Sequence, residues 1–117
     1  MFQIQNKQLH KFEQIKLYKV LTILTNLVEM NFQPTQIAKS QVELKELLLK
    51  KVNICKSLKI YDLDNIWSFI FLDLKFGFYD QNLSNSKFMS KLNDNQLTEY
   101  NKISFIRGFI IEKLNIE

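Results

Sequence analysis

Glycine and proline are almost absent from this chain. Only Gly77, Gly108 and Pro34 occur among its 117 residues. Both residue types punctuate β folds with many turns and are costly inside helices, so a chain that has so few of them favours long helices. The sequence therefore predicts an all-α fold, a single-domain bundle of four or five helices over residues 1–117.

Cysteine and histidine each occur once, as Cys55 and His10. One cysteine cannot form an internal disulfide, which excludes a disulfide-stapled secreted scaffold and favours a reducing compartment, cytoplasmic or otherwise intracellular. A zinc site needs several Cys or His ligands, so none can be assembled from this chain. Glu43 and Glu46 are three residues apart on one helical face, but without a following histidine they indicate a solvated face rather than a metal site.

The chain also lacks catalytic motifs and long apolar runs. Cys55 lies on an apolar stripe, where a thiol behaves as a small inert hydrophobe, and His10 lies in a polar segment typical of an exposed surface. No glycine-rich phosphate loop is present. The longest apolar segment, residues 66–72, contains Ser68 and is far shorter than the roughly 20 residues that span a bilayer. We therefore predict no enzymatic activity, no cofactor and no membrane span.

Positive charge is concentrated in the first half of the chain. Residues 1–60 carry ten lysines and four glutamates, whereas residues 61–117 carry six basic and eight acidic side chains. This asymmetry is typical of a surface that meets an acidic partner, although eleven Asn and a single Arg also indicate a compositional bias toward Lys. Lysine contacts phosphate as a point charge, without the bidentate fork of arginine. The candidate nucleic-acid-binding residues are Lys7, Lys11, Lys16, Lys19, Lys45, Lys56 and Lys59.

The spacing of apolar residues predicts the positions of the helices. Side chains recurring at i, i+3, i+4 and i+7 indicate buried helical faces, and Asn or Asp residues before them are good N-caps. The predicted helices cover residues 8–30, residues 34 or 35 to 58, a third segment that starts at Asp62 or Asp64 and extends through residue 78, residues 85–92, and a last helix capped by Asn93 or Asp94 that ends near residue 114.

Residues 72–78 fit two interpretations. Their apolar residues alternate with period two, which is typical of a strand, but the chain offers no convincing partner strand, so we favour a central helix. Gly77 and Gly108 then both fall inside helices. A glycine inside a helix costs about 1 kcal/mol relative to alanine. We therefore interpret Gly108 as a position that permits a close approach between helices.

Aromatic side chains are abundant, with ten Phe, four Tyr and one Trp. Trp67 is predicted to anchor the core, whereas the surplus of rings indicates an exposed aromatic interface, for which Tyr79, Phe105 and Phe109 are the candidates. Arg107 stands inside an apolar run and is a further interface candidate, because arginine is enriched at binding hot spots. The alternative, which we favour for Arg107, is a structural ion pair with Asp73.

Two functional hypotheses follow. The first is a non-enzymatic helical protein that binds a macromolecular partner, as a subunit of a larger assembly or as an inhibitor that docks on one. The second is a nucleic-acid-binding subunit of a ribonucleoprotein, which contacts phosphates through the seven lysines named above. The sequence leaves open the identity of the partner and the oligomeric state. The two hypotheses are distinguished by whether those lysines converge on one surface.

Overall fold

Helices and turns make up the part of the chain that the structure describes. The computed structural model describes the backbone of residues 6–116 and, within it, the side chains of residues 16–33 and 35–115. No strand occurs between residues 6 and 116, and five of the seven helices there have seven residues or more. The predicted all-α class is therefore confirmed. The helices are α1 (Asn6–Asn31), α2 (Pro34–Ile37), α3 (Gln41–Ser57), α4 (Leu63–Phe76), α5 (Phe78–Gln81), α6 (Ser86–Leu92) and α7 (Glu99–Ile116).

The chain divides inside α3 into two compact units, Met1–Leu49 and Lys50–Glu117. In the first unit, Leu24 and Val28 of α1 and Leu44 and Leu48 of α3 are buried. Each pair is spaced by four residues, so its members lie on the same side of their helix. Full burial of an aliphatic side chain stabilises a fold by about 1.5–3 kcal/mol, which makes these four the main apolar contribution among the described side chains of this unit. That the whole chain is one domain stays a prediction.

The helix predicted over residues 34–58 is broken between α2 and α3. Ser40 Oγ accepts a hydrogen bond from the Glu43 N–H at 3.2 Å, and Glu43 Oε2 accepts one from the Lys39 N–H at 2.9 Å. Ser40 thus caps α3, and Glu43 reaches back as in a capping box but bonds the N–H one residue before the cap. The prediction of one continuous helix was wrong, because the apolar spacing continues through the break and hides the Ser-x-x-Glu signal.

The second unit buries a core drawn from all of its helices. The ring centroids of Phe69 and Phe78 are 5.1 Å apart, and Phe88 lies 6.0 Å from Phe78, all in edge-on arrangements. Trp67, predicted to anchor the core, is half-buried instead, and Phe69 takes the interior position two residues further on. The buried apolar residues of this unit are Val52, Cys55, Leu58, Ile60, Ile66, Phe69, Ile70, Phe78, Phe88, Leu92, Ile103, Ile106 and Ile110.

Gly77 ends α4 and separates it from α5. Its φ of 63° and ψ of 34° lie in the left-handed region, and its N–H donates to the carbonyl oxygen of Asp73 at 2.7 Å. A glycine at this position is the common C-terminal cap of a helix, because a residue with Cβ is strained there. The prediction that Gly77 lies inside a helix was therefore wrong. Residues 72–76 are helical, which excludes the strand interpretation of residues 72–78.

The last helix begins later than the sequence predicts. Asn93 is the C-cap of α6, and Asp94 Oδ1 accepts a hydrogen bond from the Gln96 N–H within the turn that follows. Thr98 Oγ1 accepts a hydrogen bond from the backbone N–H three residues ahead at 3.1 Å and so caps α7. Gly108 does lie inside α7, but a Cβ placed there meets no atom within 4 Å. The inferred close approach of another helix at Gly108 was therefore wrong.

Candidate functional site

Asp73 is a buried carboxylate of the second unit. Its Oδ2 pairs with Nζ of Lys51 on α3 at 2.5 Å, and its Oδ1 accepts a hydrogen bond from the Tyr79 N–H at 3.1 Å. The pairing of Asp73 with Arg107 that we inferred from the sequence was wrong. Arg107 is exposed, and no carboxylate forms a salt bridge with it within the described residues. Asp73 on α4 is paired with Lys51 of α3, whereas Arg107 lies on the outward side of α7.

Two charged residues in the first turn of α7 hold the connection between α3 and α4. Glu99 Oε1 accepts hydrogen bonds from the N–H groups of Tyr61 and Asp62, each at 2.9 Å. Lys102 Nζ donates to the carbonyl oxygen of Leu58 at 2.5 Å. The carboxylate therefore holds the two residues that lead into α4, whose N-cap Asp62 makes no side-chain cap hydrogen bond, and the ammonium meets the C-terminal end of α3. Both charges have the sign that the helix dipoles favour.

The surroundings of these two residues shift their protonation. Burial acts to raise the pKa of Glu99, but the hydrogen bonds from Asp62, Tyr61 and Asn65 and the charge of Lys102 outweigh it, so this pKa lies below its usual value. Burial lowers the pKa of Lys102, against the smaller opposing effects of nearby carboxylates. Lys102 is only 1% exposed. Both side chains are thus committed to holding the fold.

Cys55 is fully buried on α3 and has no role at a surface. Burial, followed by the nearby Asp73 carboxylate, raises the pKa of its thiol to about 12, and the charge of Lys51 opposes this only in part. The thiol is therefore protonated at neutral pH, and a protonated thiol is neither a nucleophile nor a metal ligand. Within the described side chains, no group of three or more His, Cys, Asp or Glu residues is placed to hold a metal ion.

The aromatic residues predicted to be exposed are half-buried. The ring of Phe88 lies 4.5 Å from that of Phe109 and 5.4 Å from that of Phe105, between centroids. Tyr79 packs edge-on against Phe69 at 5.9 Å. All three candidate rings therefore cover the core of the second unit with one face and leave only part of their surface to solvent. Their contact with a partner stays a prediction.

A depression of about 270 Å³ lies between α4 and α7. Trp67 and Phe71 form its aromatic wall, with ring centroids 5.8 Å apart in an edge-on arrangement. Ser68 and Leu72 line it from the next positions of α4, and Arg107 lines it from α7. The depression thus joins one tryptophan and one arginine, the residue types most enriched at the centres of protein interfaces.

A second depression of about 210 Å³ lies between α7, α5 and the C-terminal end of α4. It is lined by aromatic and aliphatic side chains, by the amides of Gln81 and Asn82 and by one ammonium group, that of Lys113. The Nζ atom of Lys113 stands 4.8 Å from the ring centroid of Phe109 and 3.5 Å from Oδ1 of Asn82. The lining residues are Phe76, Phe78, Gln81, Asn82, Phe109, Ile110, Lys113 and Leu114.

We name the two depressions together the α4–α7 groove and define it by their lining residues. On α4, Ser68, Leu72 and Phe76 are spaced by four residues and so form one row along the helix. On α7, Arg107 and Leu114 are two turns apart and line the groove from the other side. The lining holds two cations, Arg107 and Lys113, and no carboxylate. The lining of the groove is therefore mostly apolar, with three neutral polar residues, Ser68, Gln81 and Asn82, and the two cations.

The outward side of α7 carries a second apolar row. Tyr100 is 67% exposed, and Ile111 and Leu114 are each 56% exposed. With Ser104 and Arg107 between them, these residues follow the alternating spacing of four and three that brings side chains to one side of a helix. The adjoining side of α7 is buried through Lys102, Ile103, Ile106 and Ile110. Hence apolar residues occupy a wide arc of α7, and only part of that arc is covered within the second unit.

The candidate nucleic-acid-binding lysines are placed as follows. Lys7 and Lys11 lie outside the described side chains. In the first unit Lys16, Lys19 and Lys45 are exposed, and in the second unit Lys56 and Lys59 are exposed. None of these five forms a salt bridge with a described carboxylate. Lys59 has a φ of 64° and occupies the left-handed position after α3, so the chain turn there is made by a lysine rather than by the usual glycine.

No helix within residues 6–116 is long and apolar enough to cross a bilayer. No protein-family model, no curated protein and no solved structure matches this chain. What the chain can bind follows from its own surfaces.

Sequence reasoning missed the α4–α7 groove because it assigned Trp67 to the core. The usable signal was the spacing of Tyr100, Arg107, Ile111 and Leu114, which continues past the buried side of α7.

Proposed function

We propose that this chain is a non-enzymatic helical protein of a reducing intracellular compartment that binds another protein, as a subunit of a larger assembly or as an inhibitor that docks on one. The observation that carries the proposal is the uncovered apolar row of α7. Its members Tyr100, Ile111 and Leu114 are all more than half exposed. The apolar arc of α7 is wider than the part that its own unit buries, and an exposed apolar patch marks a surface that another molecule covers.

The chemistry of the described residues supports binding rather than catalysis. The one cysteine is protonated and buried, and the buried charges Asp73, Glu99 and Lys102 are engaged with neighbouring groups of the fold. Trp67 and Arg107, by contrast, line a surface groove beside the apolar row. Arginine and tryptophan contribute strongly to protein binding because each buries a large area and makes directional contacts.

The test is capture of partners from cells of the source organism, followed by mass spectrometry that scores both protein and nucleic acid. Ile111→Glu places a charge in the apolar row, and the expected result is loss of the captured protein. Leu83→Glu is the matched control, because Leu83 is 53% exposed in the turn after α5, outside the row. Both variants are expected to retain the far-UV circular dichroism of the parent. Retention of the same partner by Ile111→Glu would contradict the proposal.

A second candidate function is nucleic-acid binding, and the exposed, unpaired lysines support it. Lys16, Lys19, Lys45, Lys56 and Lys59 leave their ammonium groups free for phosphate. Binding through lysine is expected to show little sequence preference and a steep dependence on salt, because each phosphate contact releases counterions. Fluorescence anisotropy with labelled RNA and DNA across a salt series measures this. If neither nucleic acid binds at low salt, this second candidate is rejected.

A further inference from the structure

We infer that the α4–α7 groove binds an acidic amphipathic helix of the partner protein. The inference rests on the proposed function and names the surface and the chemistry of the segment that it recognises. An amphipathic helix that lies in a groove between two helices, with its apolar side inward, is one of the recurring modes of protein recognition. The groove and the outward row of α7 meet at Arg107 and Leu114, so one helix can cover both.

The dimensions fit a helix of a few turns. The row from Ser68 to Phe76 extends for about 12 Å along α4, and the row from Tyr100 to Leu114 extends for about 21 Å along α7, at 1.5 Å per residue. A partner helix of about 14 residues is as long as the row on α7. Its apolar side chains enter the two depressions, where Leu72, Phe76 and Ile110 offer apolar contacts.

The charge of the groove requires acidic residues on the partner helix. Arg107 and Lys113 line the groove without any carboxylate beside them in the lining. A third cation, Lys75, stands 5.7 Å from the ring centroid of Phe71 and 5.5 Å from that of Phe76. Arg107 and Lys113 are six residues apart, about 9 Å along α7, so carboxylates about two turns apart on the partner match them.

The same charge argues against a second copy of this chain as the occupant. A parallel two-fold pairing of the α7 rows sets Arg107 of one copy against Arg107 of the other. An antiparallel pairing of the full row from Tyr100 to Leu114 does the same, because Arg107 is its middle position. Two like charges brought together in an interface are costly unless a carboxylate lies between them, and the groove lining has none.

The experiment uses the whole chain and two synthetic peptides. Both peptides are about 18 residues long with the same leucine-rich side, and they differ only at two positions two turns apart, which are Glu in one and Lys in the other. Trp67 is the only tryptophan of the chain and lines the groove, so its fluorescence reports binding directly. The acidic peptide is expected to shift the Trp67 emission and to bind more tightly than the basic peptide.

Reversal of one charge on the protein tests the site. Arg107→Glu is expected to lower the affinity for the acidic peptide about tenfold, so that the basic peptide becomes the tighter-binding of the two. Lys87→Glu is the matched control, because Lys87 is exposed on α6 and outside the groove lining, and it is expected to leave both affinities nearly unchanged. Equal binding of the two peptides, no shift of Trp67 emission with either, or no effect of Arg107→Glu would overturn the inference.

Two further outcomes would assign the groove to another occupant. If sedimentation shows that the chain is a dimer and that Ile111→Glu abolishes the dimer, the occupant is a second copy of the chain rather than a partner helix. If an RNA oligonucleotide shifts Trp67 emission more strongly than the acidic peptide does, the occupant of the groove is nucleic acid. The failures of the two proposals are distinguishable. If Ile111→Glu abolishes capture of a cellular protein while the peptide charge swap has no effect, the proposed function stands and the acidic helix is rejected.

Discussion

The pair formed by Lys51 and Asp73 allows a direct test of how the second unit is stabilised. Their side chains are only 12% and 5% exposed, and their charged atoms are 2.5 Å apart. Asp73 also accepts the N–H of Tyr79, at the start of α5. Lys51→Met removes the cation and leaves the carboxylate buried with the Tyr79 N–H as its remaining partner.

The expected magnitude follows from that orphaned charge. Removing one partner of a buried ion pair costs about 3–5 kcal/mol, mostly because the other charge stays buried without compensation. Lys51 retains some exposure, so we expect Lys51→Met to cost about 3 kcal/mol. Asp73→Asn keeps an acceptor for Tyr79 but carries no charge. In that background Lys51→Met is expected to cost about 1 kcal/mol, since no charge is left without a partner.

Urea denaturation followed by circular dichroism measures these free energies of unfolding, with the requirement that the slope against urea stays constant among the variants. Lys50→Met is the matched control. It removes the same charge from the adjacent, exposed position of α3 and is expected to cost less than about 0.5 kcal/mol. An equal cost of Lys51→Met with Asp73 and with Asn at position 73 would contradict a role for the ion pair, because the cost would then come from lost packing.

Three further predictions concern single residues. Gly77→Ala is expected to destabilise the fold by about 1 kcal/mol because position 77 is left-handed, whereas Gly108→Ala is expected to stabilise it by about 1 kcal/mol because the site is helical and open. Urea denaturation measures both changes in the free energy of unfolding, and changes of the same sign would contradict the prediction. Glu99→Ala is expected to cost about 2 kcal/mol at neutral pH, since two backbone N–H groups lose their acceptor. Because the folded-state pKa of Glu99 is lowered, its contribution is complete above the usual carboxyl pKa and is lost as the pH falls through the folded value, so unfolding curves of parent and variant should converge in acid. Cys55 is expected to react with a thiol reagent at neutral pH only at the rate of unfolding, because its pKa is raised to about 12; rapid labelling of the native protein would contradict its burial.

The helical class could be predicted because it depends on the spacing of apolar residues, which recurs along the whole length of each helix. The helix boundaries depend on single side chains instead. Ser40 begins α3, Thr98 begins α7 and Gly77 ends α4, each through one local hydrogen bond or one backbone angle. Apolar spacing continues across such points, and it therefore merged α2 with α3 and placed Gly77 inside a helix.

The partners of charged residues could not be predicted because they depend on which helices adjoin. Asp73 and Arg107 are the residues that the sequence singled out, but α3 brings Lys51 to Asp73 and leaves Arg107 on the surface. Trp67 was assigned to the core because it was expected to share a face with Ile66, Ile70 and Leu74, on a helix that is apolar nearly all round. On such a helix the sequence does not say which side faces solvent, and the side that carries Trp67 became the wall of the groove.

The hydrogen bonds at the start of α7 also impose an order on the folding of the second unit. Glu99 reaches back 38 residues to Tyr61, and Lys102 reaches back 44 residues to Leu58. Contacts so distant along the chain form late, because the entropy of closing the intervening loop must be overcome first. During synthesis, before Glu99 and Lys102 have been added, the backbone groups of the turn between α3 and α4 lack these partners and remain bound to water. Leu58 and Ile60 belong to the same turn and are 2% and 0% exposed in the folded chain, so we expect their burial to be completed late as well.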